Sequence, residues 1–375
     1  KIQTPQAAQD TRNLPKVLDD LSRKAGHDMV QVLAALDRMT DADQVLDAYD
    51  QMTPSVVAGA LAVNLDTLRQ IGDLTGRRAA SLRSELLHPS DPSFYIHPIG
   101  SVSYRAGDHD HPAYRAGTAG VVTGIENRSG SFFTGARGIY ASSNIRWKDP
   151  GRSSSRADMA SVGFYGGYLA DTWDLYASFD TGGLFYDTRR RMVFGGINRT
   201  ASASPDGHLF AAQLGGSLDV GLGRSLLRPW ASLRYARLTR SGYTEKGAGD
   251  LNLTVDQTEV DSLRSTLGLT LKAPGVTLGS TGGRTGTGVN ITPALHAAWY
   301  HEFMGQNRFD MMSQLAGGGQ PFASSEAIRD ADLFGFGPGL DLDITKTVSG
   351  NIRYEGILGD TSMNHNIYAG IAVQF

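Results

Sequence analysis

The chain has 375 residues, 35 Lys and Arg against 38 Asp and Glu for a net charge of −3, and 46 glycines, about 12% against the usual 7%. The near-neutral charge argues against a general nucleic-acid binder, and the lack of cysteine excludes disulfides, thiolate zinc and a cysteine nucleophile. No run approaches 18 apolar residues, which excludes a transmembrane helix but leaves open a membrane β-barrel, whose strands alternate.

The first quarter of the chain has helical spacing. Leu14, Val17, Leu18 and Leu21 form one short apolar face, Met29, Val32, Leu33 and Leu36 a second, and Val45, Leu46 and Tyr49 a third. Thr53-Pro54 reads as an N-cap followed by proline at the first helical position. A long stretch follows through Val57, Leu61, Leu65, Leu68 and Ile71 toward Leu87, roughly 51 Å if unbroken. Gly72 and Gly76 weaken that continuity, and His88-Pro89-Ser90-Asp91-Pro92 stops it. The absence of a charged, then apolar opening implies that a signal peptide is gone or lay further upstream.

After Pro92 the period becomes two. Strand cores are expected at 95–105, 116–127, 131–147, 156–170, 172–182, 207–222, 226–240, 256–272, 288–303, 327–345, 347–358 and 363–375. About twelve antiparallel strands suit a single-chain membrane barrel. Strands of about 12–18 residues exceed the ~5–6 of a soluble sandwich. Small residues such as Gly163, Gly215, Gly268 and Gly370 recur on one face, as a curved wall requires. Phe94, Tyr95, Tyr104, Trp147, Trp173, Tyr243, Phe303 and Phe375 fall near strand ends, as interfacial girdles do.

Segments Pro229–Leu238, Gly242–Leu253, Asp261–Leu269, Ala298–Phe303, Ile352–Gly356 and Tyr368–Phe375 resemble, in order and spacing, the β-barrel translocator domain of type V secretion autotransporters. Leu46–Val57 resembles the segment that precedes many such barrels. The resemblance implies a secretion device: an N-terminal passenger crosses the outer membrane, and the barrel stays embedded with a helix threading its pore. It also implies folding by the barrel-assembly machinery, which reads the last strand, here Ile367, Ala369, Ile371, Val373 and Phe375. Some family members cleave themselves at an Asn-Asn junction in the pore. This chain has no such pair, only Asn64-Leu65 in the long helix, so no self-cleavage of that type is expected.

The expected architecture is an all-β transmembrane barrel preceded by an N-terminal α-helical region whose last helix occupies the pore. Residues 1–53 would link passenger to barrel, 54–92 would form pore helix and linker, and 93–375 the barrel. A lumen of twelve strands leaks unless filled, and a helix about 10–12 Å wide could fill it. Inward strand charges should then meet the helix: Arg234, Arg264, Glu302, Arg353 and Glu355 from the wall, with Asp66, Arg69, Asp73, Arg77, Arg78 and Glu85 from the helix. A pair in a water-filled lumen would contribute about 0–1 kcal/mol, and the wall arginines could instead pair with wall neighbours.

Other motifs read as structural. Asp108-His109-Asp110-His111 resembles a metal cluster but falls in a loop, where adjacent residues rarely converge on one ion. Gly279–Gly288 lacks the ending of a P-loop. Arg189-Arg190-Arg191 reads as a solvated loop or a lipopolysaccharide contact. No catalytic residues, metal or cofactor are expected. The expected partners are outer-membrane lipids and lipopolysaccharide, the assembly machinery and the passenger, with no nucleic acid. The expected function is a non-enzymatic translocator that exports a passenger to the cell surface and anchors it there, with the N-terminus outside. The alternatives are a porin-like channel with a helical plug, a pure membrane anchor for a surface protein, and an outer-membrane hydrolase.

Overall fold

A computed structural model describes residues 14–23, 26–84, 92–107, 112–279, 288–304, 308–327 and 330–375. Four helices precede the strands: α1 (Leu14–Leu21), α2 (His27–Asp37), α3 (Ala42–Gln51) and α4 (Ser55–Ser84). The barrel strands are β1 (Ser93–Arg105), β2 (Tyr114–Ser129), β3 (Phe132–Trp147), β4 (Ser154–Leu169), β5 (Trp173–Phe194), β6 (Asp206–Leu218), β7 (Ser225–Arg240), β8 (Thr258–Lys272), β9 (Val289–Glu302), β10 (Asp332–Asp343), β11 (Val348–Leu358) and β12 (Ser362–Gln374). Each pairs antiparallel with the next. β1 pairs with β12 from Ser93 opposite Gln374 to Arg105 opposite Ser362, which closes the sheet on itself and removes its edges.

Strand alternation explains the partition of residues. Outward positions are apolar: Ile125, Phe164, Leu214, Leu267, Leu295 and Phe336 are each more than half exposed, which is the lipid-facing pattern of a membrane barrel. Phe94, Tyr104, Trp173, Phe303 and Phe375 are also exposed, but Tyr95 and Trp147 point inward and Tyr243 packs above the barrel, so these three form no girdle. Inward positions mix aliphatic and tyrosine side chains with small and charged residues, and protein occupies most of the lumen.

α4 fills it. Its 30 residues make roughly 45 Å of helix, enough to pass a hydrocarbon core of about 30 Å. No described helix is apolar enough to cross a membrane alone, and α4 is instead buried on nearly every side by protein. Gly72 and Gly76 do not interrupt it. A Cβ at Gly72 would run into Gln213 and Arg234, and one at Gly76 would lie 2.6 Å from the Tyr176 hydroxyl, so both glycines allow the helix to approach the wall. The Thr53 hydroxyl donates to the Asp50 carbonyl at 2.8 Å, closing the end of α3.

The two barrel ends differ. One carries the turns after β2, β4, β6, β8 and β10 together with the start of β1 (the turn end). The other (the loop end) carries the connections after the remaining strands. There β5 outruns the barrel and forms a hairpin with 197–203. The connections at 241–257 and 303–331 contribute a separate four-stranded sheet from 243–244, 253–255, 308–315 and 322–327. Helices α1–α3 join these in one apolar cluster that includes Leu14, Met29, Val32, Phe194, Leu251 and Phe322. Helices α1–α3 lie where helical spacing was expected, whereas the strands at 243–244, 253–255 and 308–315 fall outside the expected strand cores. Arg189–Arg191 lie in β5, so they alternate: Arg189 and Arg191 are exposed, whereas Arg190 is buried rather than solvated. Arg190 donates to Glu245 at 3.0 and 2.5 Å, to the Gln51 carbonyl at 2.7 Å and to the Leu251 carbonyl at 2.8 Å, tying α3 to the loops.

Candidate functional site: the helix-filled lumen

The candidate functional feature is the contact between α4 and the inner wall. Near the loop end, Asn64 donates to the Tyr186 hydroxyl at 2.8 Å. At mid-height, Arg69 lies 3.3 Å from Asp73 and 3.5 Å from Glu355. Tyr300 and Tyr368 donate to Glu355 at 2.6 and 3.1 Å, and Gln70 donates to Asn366 at 3.0 Å. Arg137 is held by Asp180 at 2.8 and 2.6 Å and donates to the Thr75 hydroxyl at 2.5 Å.

Toward the turn end, Arg78 pairs with Glu126, which also accepts from Tyr165 at 2.8 Å and Ser93 at 3.1 Å. Arg83 reaches Asp174 at 2.8 Å and Asp219 at 2.7 Å. Wall side chains also donate to helix carbonyls, Arg234 to Leu68 and Arg128 to Leu82 at 3.0 Å. The Leu68 carbonyl, inside the helix, keeps a second lone pair for this purpose, and the Leu82 carbonyl lies in the last turn of α4, where helix carbonyls lack an intrahelical donor.

These pairs are not surface-like. The side chains of Arg69, Asp73 and Glu355 are 1, 6 and 1% exposed. The small value expected for a solvated pair therefore does not apply. Removing one member of a buried pair strands its partner and costs about 3–5 kcal/mol.

The sequence-predicted residues separate into groups. Arg234, Asp73 and Glu355 meet across the helix–wall contact. Arg264 and Glu302 face each other on β8 and β9 at 3.5 Å, and Glu302 also accepts from Ser262 at 2.6 Å and from the Leu263 amide at 2.8 Å. Arg353 stands 3.7 Å from Asp341 on the neighbouring strand. Asp66 is half-buried. Glu85 and the Asp108–His111 cluster lie outside the described residues, and the described residues hold no group of metal-ligating side chains. Ile367, Ile371, Val373 and Phe375 project outward from the end of β12, with Ala369 half-buried between them. Sequence reasoning passed over Glu126, Arg137 and Asp180; each occupies an inward position of its strand, which alternation alone could have flagged.

The family model of the autotransporter beta-domain matches residues 94–355. Similar solved structures include the translocator domain of the autotransporter NalP from Neisseria meningitidis, 16% identical, covering 83% of this chain and 98% of that one with a TM-score of 0.61. The beta domain of the Bordetella autotransporter Brka is 17% identical and covers 76% of this chain and 100% of that one, with a TM-score of 0.54. At such identities the likeness speaks to the fold. No curated protein sequence matches the chain.

Proposed function

This chain belongs to the autotransporter β-domain family, with an outer-membrane translocator role, and we propose that it exports a passenger attached on the N-terminal side of its helices and then holds it at the cell surface. The supporting observation is the course of α4. It runs the length of a closed lumen from the capped loop end to the turn end, where β1 begins. With the turn end in the periplasm, a chain preceding α1 emerges outside the cell. The work is mechanical and electrostatic: a hydrated ring of arginines and carboxylates passes an extended chain, then closes on α4. No catalytic group takes part in this scheme.

In this reading the outward residues Ile367, Ala369, Ile371, Val373 and Phe375 serve the assembly machinery during folding, and the apolar belt meets lipid and lipopolysaccharide. The test fuses an epitope-tagged reporter ahead of α1. Export predicts that protease added to intact cells removes the tag while a periplasmic control protein survives. A tag protected until the outer membrane is breached would favour the plugged-channel alternative.

A further inference from the structure

α4 lies against β4 and β5 rather than on the barrel axis. Between its lower half and the opposite wall remains a chamber with about 70 Å³ open to the centres of water molecules. That is room for roughly five waters, or for one tetrahedral oxyanion. Five cations line it (Arg77, Arg78, Arg228, Lys272 and Arg353) against two carboxylates, Asp73 and Asp341. Glu126 and Asp219, the partners of Arg78 and Arg228, are not part of the lining.

Three of these cations are undercompensated. Lys272 at 2.6 Å and Arg353 at 3.7 Å share Asp341. The Arg77 guanidinium lies 4.1 Å over the Tyr368 ring, with no carboxylate within 4.0 Å among the described residues.

Two buried histidines supply an independent observation. His97 is 1% and His296 5% exposed, and both line the chamber. Nδ1 of His97 sits 3.1 Å from the Ala369 carbonyl, so it carries the proton and donates. That leaves its Nε2 an acceptor without a partner. Neither nitrogen of His296 makes a hydrogen bond, and its Nε2 is 3.7 Å from Glu355. Buried polar atoms are normally satisfied. The chamber thus combines surplus cationic donors with unfilled imidazole acceptors. An occupant that fits both carries negative oxygens and one hydroxyl proton to donate.

We infer that this chamber binds a singly protonated phosphate group. The oxygens accept from Arg77, Lys272 and Arg353, and the P–OH donates to an imidazole Nε2. Charge-assisted contacts of this kind are the strong class of hydrogen bond. Inorganic phosphate and a phosphomonoester headgroup share the chemistry.

The test is calorimetric titration of sodium phosphate into the full chain in zwitterionic detergent, against sodium chloride of matched ionic strength. Saturable binding, weakened about tenfold or more by Arg77→Gln and also weakened by Lys272→Gln, is expected. Arg156→Gln, at an exposed pair outside the chamber, should leave it unchanged. Heat-modifiable gel mobility reports that each variant keeps its barrel. Displacement of phosphate by dihexanoyl phosphatidic acid would assign the headgroup as a source, and failure to displace would assign the free anion. No saturable binding by the unmodified chain overturns the inference, as does sulfate, which has no proton to donate, binding as tightly as phosphate.

Discussion

The lumen and the cap both hold the N-terminal segment by apolar packing, but the lumen adds many more buried ion pairs. Around α4, Leu61, Leu65, Leu68, Ile71 and Leu74 pack on wall residues such as Ile99, Leu184, Leu209 and Leu238, and buried arginines, carboxylates, tyrosines and helix carbonyls are set among them. Around α1–α3 the contacts are Leu, Met, Val and Phe, with Arg190 as a buried polar tie. The difference follows from what each region faces before it is filled. A lumen emptied of α4 would hold water, and its charges are available to grip a helix that matches them. The cap gains stability by removing apolar surface from water, about 1.5–3 kcal/mol for each fully buried large side chain. Polar pairs fix the register of α4, and apolar packing seals the mouth above it.

The largest expected effect separates filled from unfilled lumen. Deleting residues 14–84 should raise single-channel conductance in planar bilayers by about tenfold or more, because a twelve-stranded bore stands between side-chain-filled barrels and open porins. Equal conductance would mean that α4 does not seal the pore. Next comes the polar grip. Glu355→Gln removes one of the two carboxylates facing Arg69, the other being Asp73, and should cost about 3 kcal/mol, read as faster hydrogen exchange of α4 amides while strand amides keep their protection. The apolar side answers to Met29→Ala, where a fully buried side chain is cut back. A loss of about 2–5 kcal/mol should expose α1–α3 to protease and leave the barrel resistant.

The smallest effect is a pH dependence of the cap. Asp28 accepts from Arg199 at 2.8 and 2.5 Å and from the Asp250 amide at 2.8 Å. The Arg199 hydrogen bonds, then that amide, hold its carboxyl below the ordinary 3.8. A carboxyl lowered on folding stabilises above its unfolded pKa, and the contribution is lost as pH falls through the folded value. Protease resistance of the cap should therefore stay level from neutral pH down to about 5 and fall below about 4, and Asp28→Asn should flatten that fall.

Much of the barrel was legible because a two-sided wall writes its alternation into every strand. It failed where another signal intervened. The expected fifth strand ended at Gly182, yet Leu184, Tyr186, Thr188, Arg190, Met192 and Phe194 continue the inward face. The Gly182-Gly183 pair and the arginine run mimic a loop, and only the cap above reveals why the strand goes on. The 308–327 hairpin was missed because it pairs outside the barrel, with 253–255. At the site, alternation tells which face of a strand carries Arg234, Arg264 or Glu355. It does not give the rotation of α4 in the bore or its offset toward β4 and β5. The rotation of α4 aims Arg69 across the bore at Glu355 and sets the Leu68 carbonyl within reach of Arg234, while Arg264 stands against Glu302. Gly72 and Gly76 misled for the same reason: they report closeness to Arg234 and Tyr176, which no local rule contains.

The most direct test of the account is the side of the membrane on which each barrel end lies. The sequence has no cysteine, so single substitutions can be labelled cleanly. Val30→Cys marks an exposed point on α2 at the loop end, and Leu222→Cys an exposed point in the turn between β6 and β7. Treated with a membrane-impermeant maleimide, intact cells should label Val30→Cys at once and Leu222→Cys only after the outer membrane is permeabilised. The reverse pattern would put the helices in the periplasm and contradict export through this lumen.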